Sequence, residues 1–309
     1  MKDVLKPGVH RARKRFGQHF LAREWSQKLI AAIAPSADDT FLEIGPGQGA
    51  ITRALAARSR AVVAVEVDRD LVARLRDEHV PGVTIVEGDV LEVDFTTLGL
   101  PSGTRIAGNL PYNISSPILF KVLETQRATG LFRDATFMLQ REVADRLVAR
   151  PGTKEYGLLT VFTALEAAVT KQLTLPPGAF RPPPKVTSAV VRLTFLPPDQ
   201  RPEVPTTFGP MVQALFGVRR KTIANGLKVP ARAAGLSPGD ALRIAGLDAQ
   251  LRPEQLSVEE LLRLARVLQQ PASHPAPSTR DAPGTRHPPS PLGLRRGRPG
   301  IARDSDTDL

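Results

Sequence analysis

The stretch Phe41-Leu42-Glu43-Ile44-Gly45-Pro46-Gly47-Gln48-Gly49 decides the predicted fold. Its first four residues form a short, mainly apolar run, which is typical of a buried β-strand. The glycines that follow let the backbone turn sharply and approach a ligand closely, and residues 50–57 then have the pattern of a helix. Since a lone glycine-rich turn is often an ordinary turn, its interpretation depends on what surrounds it.

The alternation of strand and helix continues along the chain. Further short apolar runs predict strands over 61–65, 83–86, 105–107 and 136–139, and residues 68–78 have helical spacing. Repeated strand–helix units indicate an open, mostly parallel sheet with helices on both faces, an α/β fold. Two more β-rich runs, 169–175 and 186–195, are joined by a proline-rich connection and are expected to be neighbouring strands.

The flanking regions differ in composition from this centre. We expect a basic N-terminal arm and a helix over 1–35, the sheet-bearing domain over 36–200, and a small all-α domain over 201–270. Residues 271–309 are rich in Pro, Ser, Arg and Asp with almost no large apolar side chains. Such a segment cannot bury enough surface to fold, so disorder is expected there.

Composition narrows the function class. The 309 residues carry a formal net charge of +11 and 41% hydrophobic residues, and none is cysteine. The charge favours a polyanionic partner, nucleic acid ahead of membrane, although a merely basic soluble enzyme would also fit. The lack of cysteine excludes disulfides and thiolate metal sites, and it fits a cytoplasmic protein. No run is long and apolar enough to predict a transmembrane helix, and no signal peptide is visible.

Two acidic residues support a nucleoside site at the glycine-rich turn. Glu66 ends the second strand, where a carboxylate can accept hydrogen bonds from both hydroxyls of a ribose. Asp89 follows the third strand and can accept a hydrogen bond from an adenine amino group, although a loop or helix-cap role is the alternative. A dinucleotide enzyme would share these features, but the Gly-Pro-Gly turn departs from the usual pyrophosphate-binding spacing.

The tetrapeptide Asn109-Leu110-Pro111-Tyr112 follows the fourth strand and indicates methyl transfer to a ring-conjugated amine. Adenine N6 is a poor nucleophile because its lone pair is delocalised into the ring. The Asn109 amide oxygen and a main-chain carbonyl, that of Leu110, can accept its two N–H bonds and aim the lone pair at a methyl group. Pro111 stiffens the turn and Tyr112 can stack on the base. A paired adenine must be extruded to reach such a site, and Phe180 is expected to supply a second stacking face, with a core aromatic as the alternative.

These motifs, taken with others, carry a family resemblance. The chain resembles the RsmA/KsgA family of ribosomal RNA adenine N6,N6-dimethyltransferases from about Arg13 to about Arg266. The landmarks are the segments 13–21, 42–49, 109–117, 140–144, 180–190 and 216–222. The resemblance implies a Rossmann-like, S-adenosylmethionine (SAM)-dependent methyltransferase sheet whose last strand is antiparallel, with a small α-helical C-terminal domain.

The resemblance also implies functional residues and a substrate. SAM contacts are implied at His19, Leu21, Gly45, Gly47, Glu66, Asp89 and Asn109. His19 stands where the family usually has Asn, which makes that contact pH-dependent. The implied substrate is a pair of adjacent adenines in a hairpin loop near the 3′ end of 16S rRNA, within an immature small ribosomal subunit. The enzyme is expected to act as a monomer, without a metal and without a membrane partner.

Basic clusters are expected to bind the RNA phosphates. They are Arg13, Lys14 and Arg15 in the arm, and Arg219, Arg220 and Lys221 at the start of a predicted helix. Arg141, Arg146 and Arg150 on another predicted helix extend this surface, although each cluster is also compatible with a solvated basic face.

Three rival functions remain open at this point. A large-subunit rRNA methyltransferase of the resistance type shares the Gly-Pro-Gly turn and a related Asn-x-Pro-Tyr motif. A DNA adenine methyltransferase is disfavoured because no separate target-recognition domain is visible. A ribosome-assembly factor that acts mainly by binding is disfavoured by the complete set of catalytic residue types.

Overall fold

Nine β-strands occur within residues 20–269, the part of the chain that this computed structural model describes. They are β1 Phe20–Leu21, β2 Thr40–Ile44, β3 Ala61–Glu66, β4 Val83–Glu87, β5 Thr104–Asn109, β6 Phe132–Gln140, β7 Ala167–Leu175, β8 Phe180–Arg181 and β9 Ser188–Phe195.

Eleven α-helices connect and follow these strands in the same residues. They are α1 Arg23–Ile33, α2 Thr52–Ala56, α3 Arg69–Asp77, α4 Ser115–Thr129, α5 Arg141–Leu147, α6 Leu158–Ala164, α7 Phe208–Gly217, α8 Ile223–Gly226, α9 Lys228–Ala233, α10 Pro238–Ala245 and α11 Val258–Gln269.

Seven of the strands form one sheet in the order β4-β3-β2-β5-β6-β9-β7. Neighbours from β4 to β6 are parallel, whereas β9 pairs antiparallel with both β6 and β7. This confirms the predicted mostly parallel sheet with an antiparallel last strand, and β7 and β9 are neighbours as expected. The chain runs outward from β2 to β4 and then returns to place β5 on the other side of β2. Loops at the carboxyl ends of β2 and β5 therefore diverge and leave a crevice between them.

Burial explains why the central strands read as apolar runs. Every residue of β2 is buried, as expected for a parallel strand covered by helices on both faces. In α1 the buried residues Ser26, Leu29, Ile30 and Ile33 recur at helical spacing, so one face packs on the sheet.

A buried arginine joins the C-terminus of α1 to the sheet. It lies near the amino end of β5, away from the crevice at the carboxyl end of that strand. The Arg105 guanidinium donates hydrogen bonds to Asp39 (2.8 Å) and Asp134 (3.0 Å). It also donates to the main-chain oxygens of Ile33 (2.7 Å) and Ala34 (3.0 Å), which lie at the C-terminus of α1. Arg105 therefore caps a helix that has no basic residue in its own last turn.

A small two-stranded sheet holds the segment before α1. β1 pairs antiparallel with β8, with Leu21 opposite Phe180, and the Ala22 amide donates to the Ala179 carbonyl at 2.8 Å. This pairing positions Leu21 at the mouth of the crevice described below.

The C-terminal part of the described chain is helical, as predicted. Its core contains Phe208, Met211 and Leu215 from α7 and also Tyr156 and Val161 from the sheet-bearing part. The helices α7–α11 therefore share a core with α6, and a domain boundary near residue 200 stays a prediction.

Several local predictions differ from the structure. The helix after the glycine-rich turn begins at Thr52, because residues 47–51 form turns. Residues 219–221 lie in the connection between α7 and α8 and do not begin a helix, and Arg150 lies beyond the end of α5.

The predicted basic arm up to His19 and the predicted disordered tail over 271–309 lie outside the described residues. Within residues 20–269, no helix is both long and apolar enough to cross a membrane.

Candidate active site

The crevice between β2 and β5 forms a cavity of about 300 Å³. Its lining comes from the segments that follow four adjacent parallel strands, together with one residue of β1. The lining residues are Leu21, Ile44, Gly45, Pro46, Gly47, Gln48, Ala50, Ile51, Val65, Glu66, Val67, Gly88, Asp89, Val90, Asn109, Leu110, Pro111, Tyr112, Asn113 and Ile114. Every predicted cofactor residue within the described chain is thus at one cavity.

The glycine-rich turn has the backbone geometry that its composition predicts. Gly45 and Gly47 adopt φ angles of +68° and +58°, a region that other residues rarely occupy. Gly108 on β5 meets the same turn from the other side, since a Cβ there would lie 2.7 Å from the Ile44 carbonyl oxygen. Glycine at these positions keeps the ends of β2 and β5 close beneath the cavity.

Glu66 is held by main-chain amides at the carboxyl end of β3. One carboxylate oxygen accepts from Gly47 at 3.0 Å, and the other accepts from Val67 and Asp68 at 3.0 Å each. Burial raises the pKa of Glu66, while these hydrogen bonds oppose the rise. The carboxylate is therefore fixed against the glycine-rich turn, with acceptor capacity left for a ribose hydroxyl.

Asp89 caps a turn, the alternative role considered for it, and its role toward an adenine amino group stays a prediction. One carboxylate oxygen accepts from the Leu91 amide at 2.9 Å, which caps the turn after β4, and the residue also lines the cavity. Val67 is a lining residue that the sequence analysis missed. Val67 is 42% exposed and stands between Glu66 and the buried Asp68. Its side chain therefore offers an apolar surface against which a flat ring can pack.

The Asn109–Tyr112 tetrapeptide leaves β5 at the cavity wall. The Leu110 amide donates to the Met138 carbonyl at 3.1 Å and the Leu110 side chain is buried, so the turn is anchored to β6. The Tyr112 hydroxyl lies 2.6 Å from the Ser188 hydroxyl. Burial raises the pKa of Tyr112, and the Ser188 hydrogen bond opposes that rise.

Glu43 is a second residue whose importance the sequence analysis missed. It lies in β2 directly before the glycine-rich turn, is fully buried, and neither of its carboxyl oxygens has a hydrogen-bond partner. The neighbouring Thr52 hydroxyl is also buried and unpartnered. Burial raises the pKa of Glu43 to about 8, with a further rise from the Glu66 carboxylate, while the adjacent Thr52 side chain and Arg53 oppose part of the rise, so Glu43 is neutral at neutral pH. The sequence feature that could have identified Glu43 is its position as an acidic residue within an otherwise apolar predicted strand.

The charge of the cavity is opposite to that of the whole chain. Among residues 20–269 its lining contains two acidic side chains, Glu66 and Asp89, and no basic one, whereas the protein carries +11. Such a lining favours a cationic ligand over a pyrophosphate. SAM, with a sulfonium and an ammonium group, fits this site better than a dinucleotide does.

The prediction of Phe180 as a stacking face is wrong. Its side chain is fully buried in a core cluster with Leu29, Met138 and Val190, and it does not line the cavity. Pairing of β8 with β1 turns the ring into the core, which is the alternative that the sequence left open.

The predicted RNA-binding residues of the helical region differ in their surroundings. Arg220 and Lys221 are exposed. Arg219 is 35% exposed, lies 3.6 Å from the Glu254 carboxylate and donates to the Thr153 carbonyl at 3.3 Å. Part of its role is therefore to tie the α7–α8 connection to neighbouring segments. His19, Arg13, Lys14 and Arg15 lie outside the described residues.

Comparisons with known proteins identify the family of the chain. The family described as ribosomal RNA adenine dimethylase matches residues 9–270. The chain is 46% identical to the ribosomal RNA small subunit methyltransferase A of Bordetella petrii, covering 86% of this chain and 99% of that protein. It is also 46% identical to the protein of the same name from Aromatoleum aromaticum, covering 82% and 93%.

Two solved structures share the fold. A dimethyladenosine transferase from Plasmodium falciparum is 26% identical and aligns with a TM-score of 0.64 over 80% of this chain and 96% of its own. The 23S rRNA methyltransferase ErmE is 28% identical, with a TM-score of 0.58 over 81% and 100%. The match of the family to most of the chain, and the close relatives that the chain covers almost end to end, show that it belongs to the ribosomal RNA adenine dimethylase family.

Proposed function

We propose that the chain transfers methyl groups from SAM to N6 of two adjacent adenines in a hairpin loop near the 3′ end of 16S rRNA, within an immature small ribosomal subunit. It would act as a cytoplasmic monomer. The observation that carries this proposal is the placement of Asn109 and Leu110 on the wall of an acidic cavity at the crevice of the sheet.

Different side chains around the cavity bind the cofactor and position the target adenine. Glu66 and Asp89 accept hydrogen bonds from the ribose and the adenine of the cofactor, and Val67 packs against its ring. The cofactor supplies an activated methyl group on a sulfonium. Asn109 and the Leu110 carbonyl accept the two N6–H bonds of the target adenine, which directs the lone pair of N6 along the line of transfer.

The choice of small-subunit over large-subunit RNA is supported by sequence more than by fold. The chain shares 46% identity with small-subunit methyltransferases and 28% with the 23S rRNA methyltransferase ErmE. The 23S rRNA methyltransferase ErmE shares this fold, so the fold alone does not separate the two RNA substrates.

Exposed cations of the described chain offer a surface for RNA phosphates. Arg220 and Lys221 are exposed between α7 and α8. Arg141 and Arg146 of α5 are exposed as well, with Arg146 ion-paired to Glu142 on the same helix. We propose that these residues act with the basic arm, and that Arg219 contributes mainly through its contact with Glu254.

Methyl transfer from labelled SAM to immature small subunits tests the proposal. We expect label at N6 of two adjacent adenines, located by mass spectrometry of the rRNA. Asn109→Ala should lower kcat by about 10²–10³, because an acceptor for the N6–H bond is lost. Asn225→Ala, at an exposed position in α8, is the matched control and should keep wild-type turnover. Label in large-subunit RNA, or wild-type turnover by Asn109→Ala, would contradict the assignment.

A further inference from the structure

We propose that Ser188 is a positioning residue for methyl transfer, and that it orients the ring of Tyr112 through a hydrogen bond between the two hydroxyls. The inference rests on the proposed function, because it assigns Tyr112 to the target base. It adds a residue that contacts neither the cavity nor the cofactor site directly.

The contact joins two distant parts of the chain inside the fold. Ser188 is fully buried at the start of β9, where it stands opposite Gln140 at the end of β6 and Leu175 at the end of β7. Its hydroxyl lies 2.6 Å from the Tyr112 hydroxyl, across 76 residues of sequence. The sheet therefore carries the serine to the far end of the tyrosine ring.

The position of the contact on the ring explains what it controls. A tyrosine side chain turns about χ1 and χ2, and its hydroxyl oxygen lies on the χ2 axis. A hydrogen bond at the hydroxyl therefore fixes χ1 and the direction of the ring axis, and it restrains χ2 because a phenol hydrogen-bonds close to the plane of its ring. The backbone of Tyr112 is set separately by the turn from β5 to α4, in which the Ile114 amide donates to the Pro111 carbonyl at 3.2 Å. With both ends held, the axis of the ring is fixed at the cavity wall, and the Ser188 hydrogen bond favours one plane of the ring about that axis.

The plane of this ring matters because Phe180 is not available as a second face. Tyr112 is the one aromatic side chain among the described residues that line the cavity. A stacked base takes the plane of its partner ring, so a tilt of Tyr112 turns N6 away from the Asn109 acceptor and the transferable methyl group.

A double-mutant cycle separates positioning from simple packing. Ser188→Ala and Tyr112→Phe each remove one hydroxyl and keep the rest of the side chain. If Ser188 acts through Tyr112, each variant should lower kcat/KM about fivefold, mainly through kcat, and the double variant should be no worse than either single one. If the two losses multiply, so that Ser188→Ala costs as much in the Tyr112→Phe background as in the wild type, the proposal is wrong.

A spectroscopic titration reports on the contact without any substrate. The chain has two tyrosines, and Tyr156 is buried with an unpartnered hydroxyl, so Tyr156→Phe leaves Tyr112 as the single titrating phenol. In that background Ser188→Ala should raise the pKa of Tyr112, because the serine hydroxyl donates to the phenolate. If Ser188→Ala leaves the pKa of Tyr112 unchanged, the two hydroxyls do not form this hydrogen bond and the proposal is wrong. A shifted titration in a protein that transfers no methyl group to rRNA would instead contradict the proposed function alone.

Discussion

Replacement of Glu43 by Gln is expected to make the protein's stability less dependent on pH. The carboxyl group is fully buried without a hydrogen-bond partner, and its pKa is raised to about 8 from an ordinary value of 4.5. The folded chain therefore holds this proton more tightly than the unfolded chain. The resulting stabilisation is present below pH 4.5 and is lost as the pH rises toward 8, because the unfolded chain ionises first.

The size of the effect follows from these two pKa values. One pKa unit corresponds to about 1.4 kcal/mol, so Glu43 should remove about 3 kcal/mol from the free energy of unfolding between pH 5 and pH 8. For a chain of this size the loss corresponds to a fall of about 10 °C in Tm. Glu43→Gln cannot ionise and should not show this part of the pH dependence.

Urea unfolding followed by circular dichroism at a series of pH values measures the effect. The quantity of interest is the difference in unfolding free energy between wild type and Glu43→Gln, which cancels the titration of all other groups. Glu87→Gln is the matched control, since Glu87 ends β4, two strands away in the same sheet, but is 39% exposed and pairs with Arg69. Parallel pH profiles for wild type and Glu43→Gln would refute the reasoning that Glu43 is buried in its neutral form.

Two further predictions concern the RNA surface and the core. Replacing Arg220 and Lys221 by Ala should weaken binding to immature subunits and reduce the slope of log K against log salt by about two units, whereas Arg58→Ala with Arg60→Ala should leave the slope unchanged. An unaltered slope in the first variant would exclude these residues from the interface. Arg105→Met should lower the free energy of unfolding by about 3–5 kcal/mol in urea titrations, because Asp39 and Asp134 would lose their buried partner and keep only Arg133, which is 55% exposed. A loss below about 1 kcal/mol would show that the cluster is dispensable.

The convergence of the candidate cofactor residues was predictable from sequence, because it depends on the order of the strands more than on the packing of individual side chains. Gly45, Glu66, Asp89 and Asn109 each follow a short apolar run that reads as a parallel strand. Parallel strands joined by helices end at the same edge of their sheet, so residues that follow them converge. The structure brings all four to one cavity.

Side-chain surroundings were less predictable. Phe180 follows a proline-rich connection and was expected to face the base, but the pairing of β8 with β1 buries it. Arg219 was expected to begin a helix, yet it lies in the connection between α7 and α8, beside Glu254. In both cases the deciding partner is far away in the sequence, and no periodicity of a local segment reports on it.

The sequence by itself determined the class of the fold, the edge of the sheet that carries the site and the residue types that the chemistry needs. These depend on short-range patterns, namely apolar runs, glycine-rich turns and the residues after each strand. Only the tertiary structure decided that Glu43 is buried without a partner, that Phe180 is core, and that Ser188 meets Tyr112. Those outcomes depend on which side chains lie within a few ångströms of each other once the sheet is assembled. Residues far apart in the sequence reach such distances only through the close packing of the folded chain.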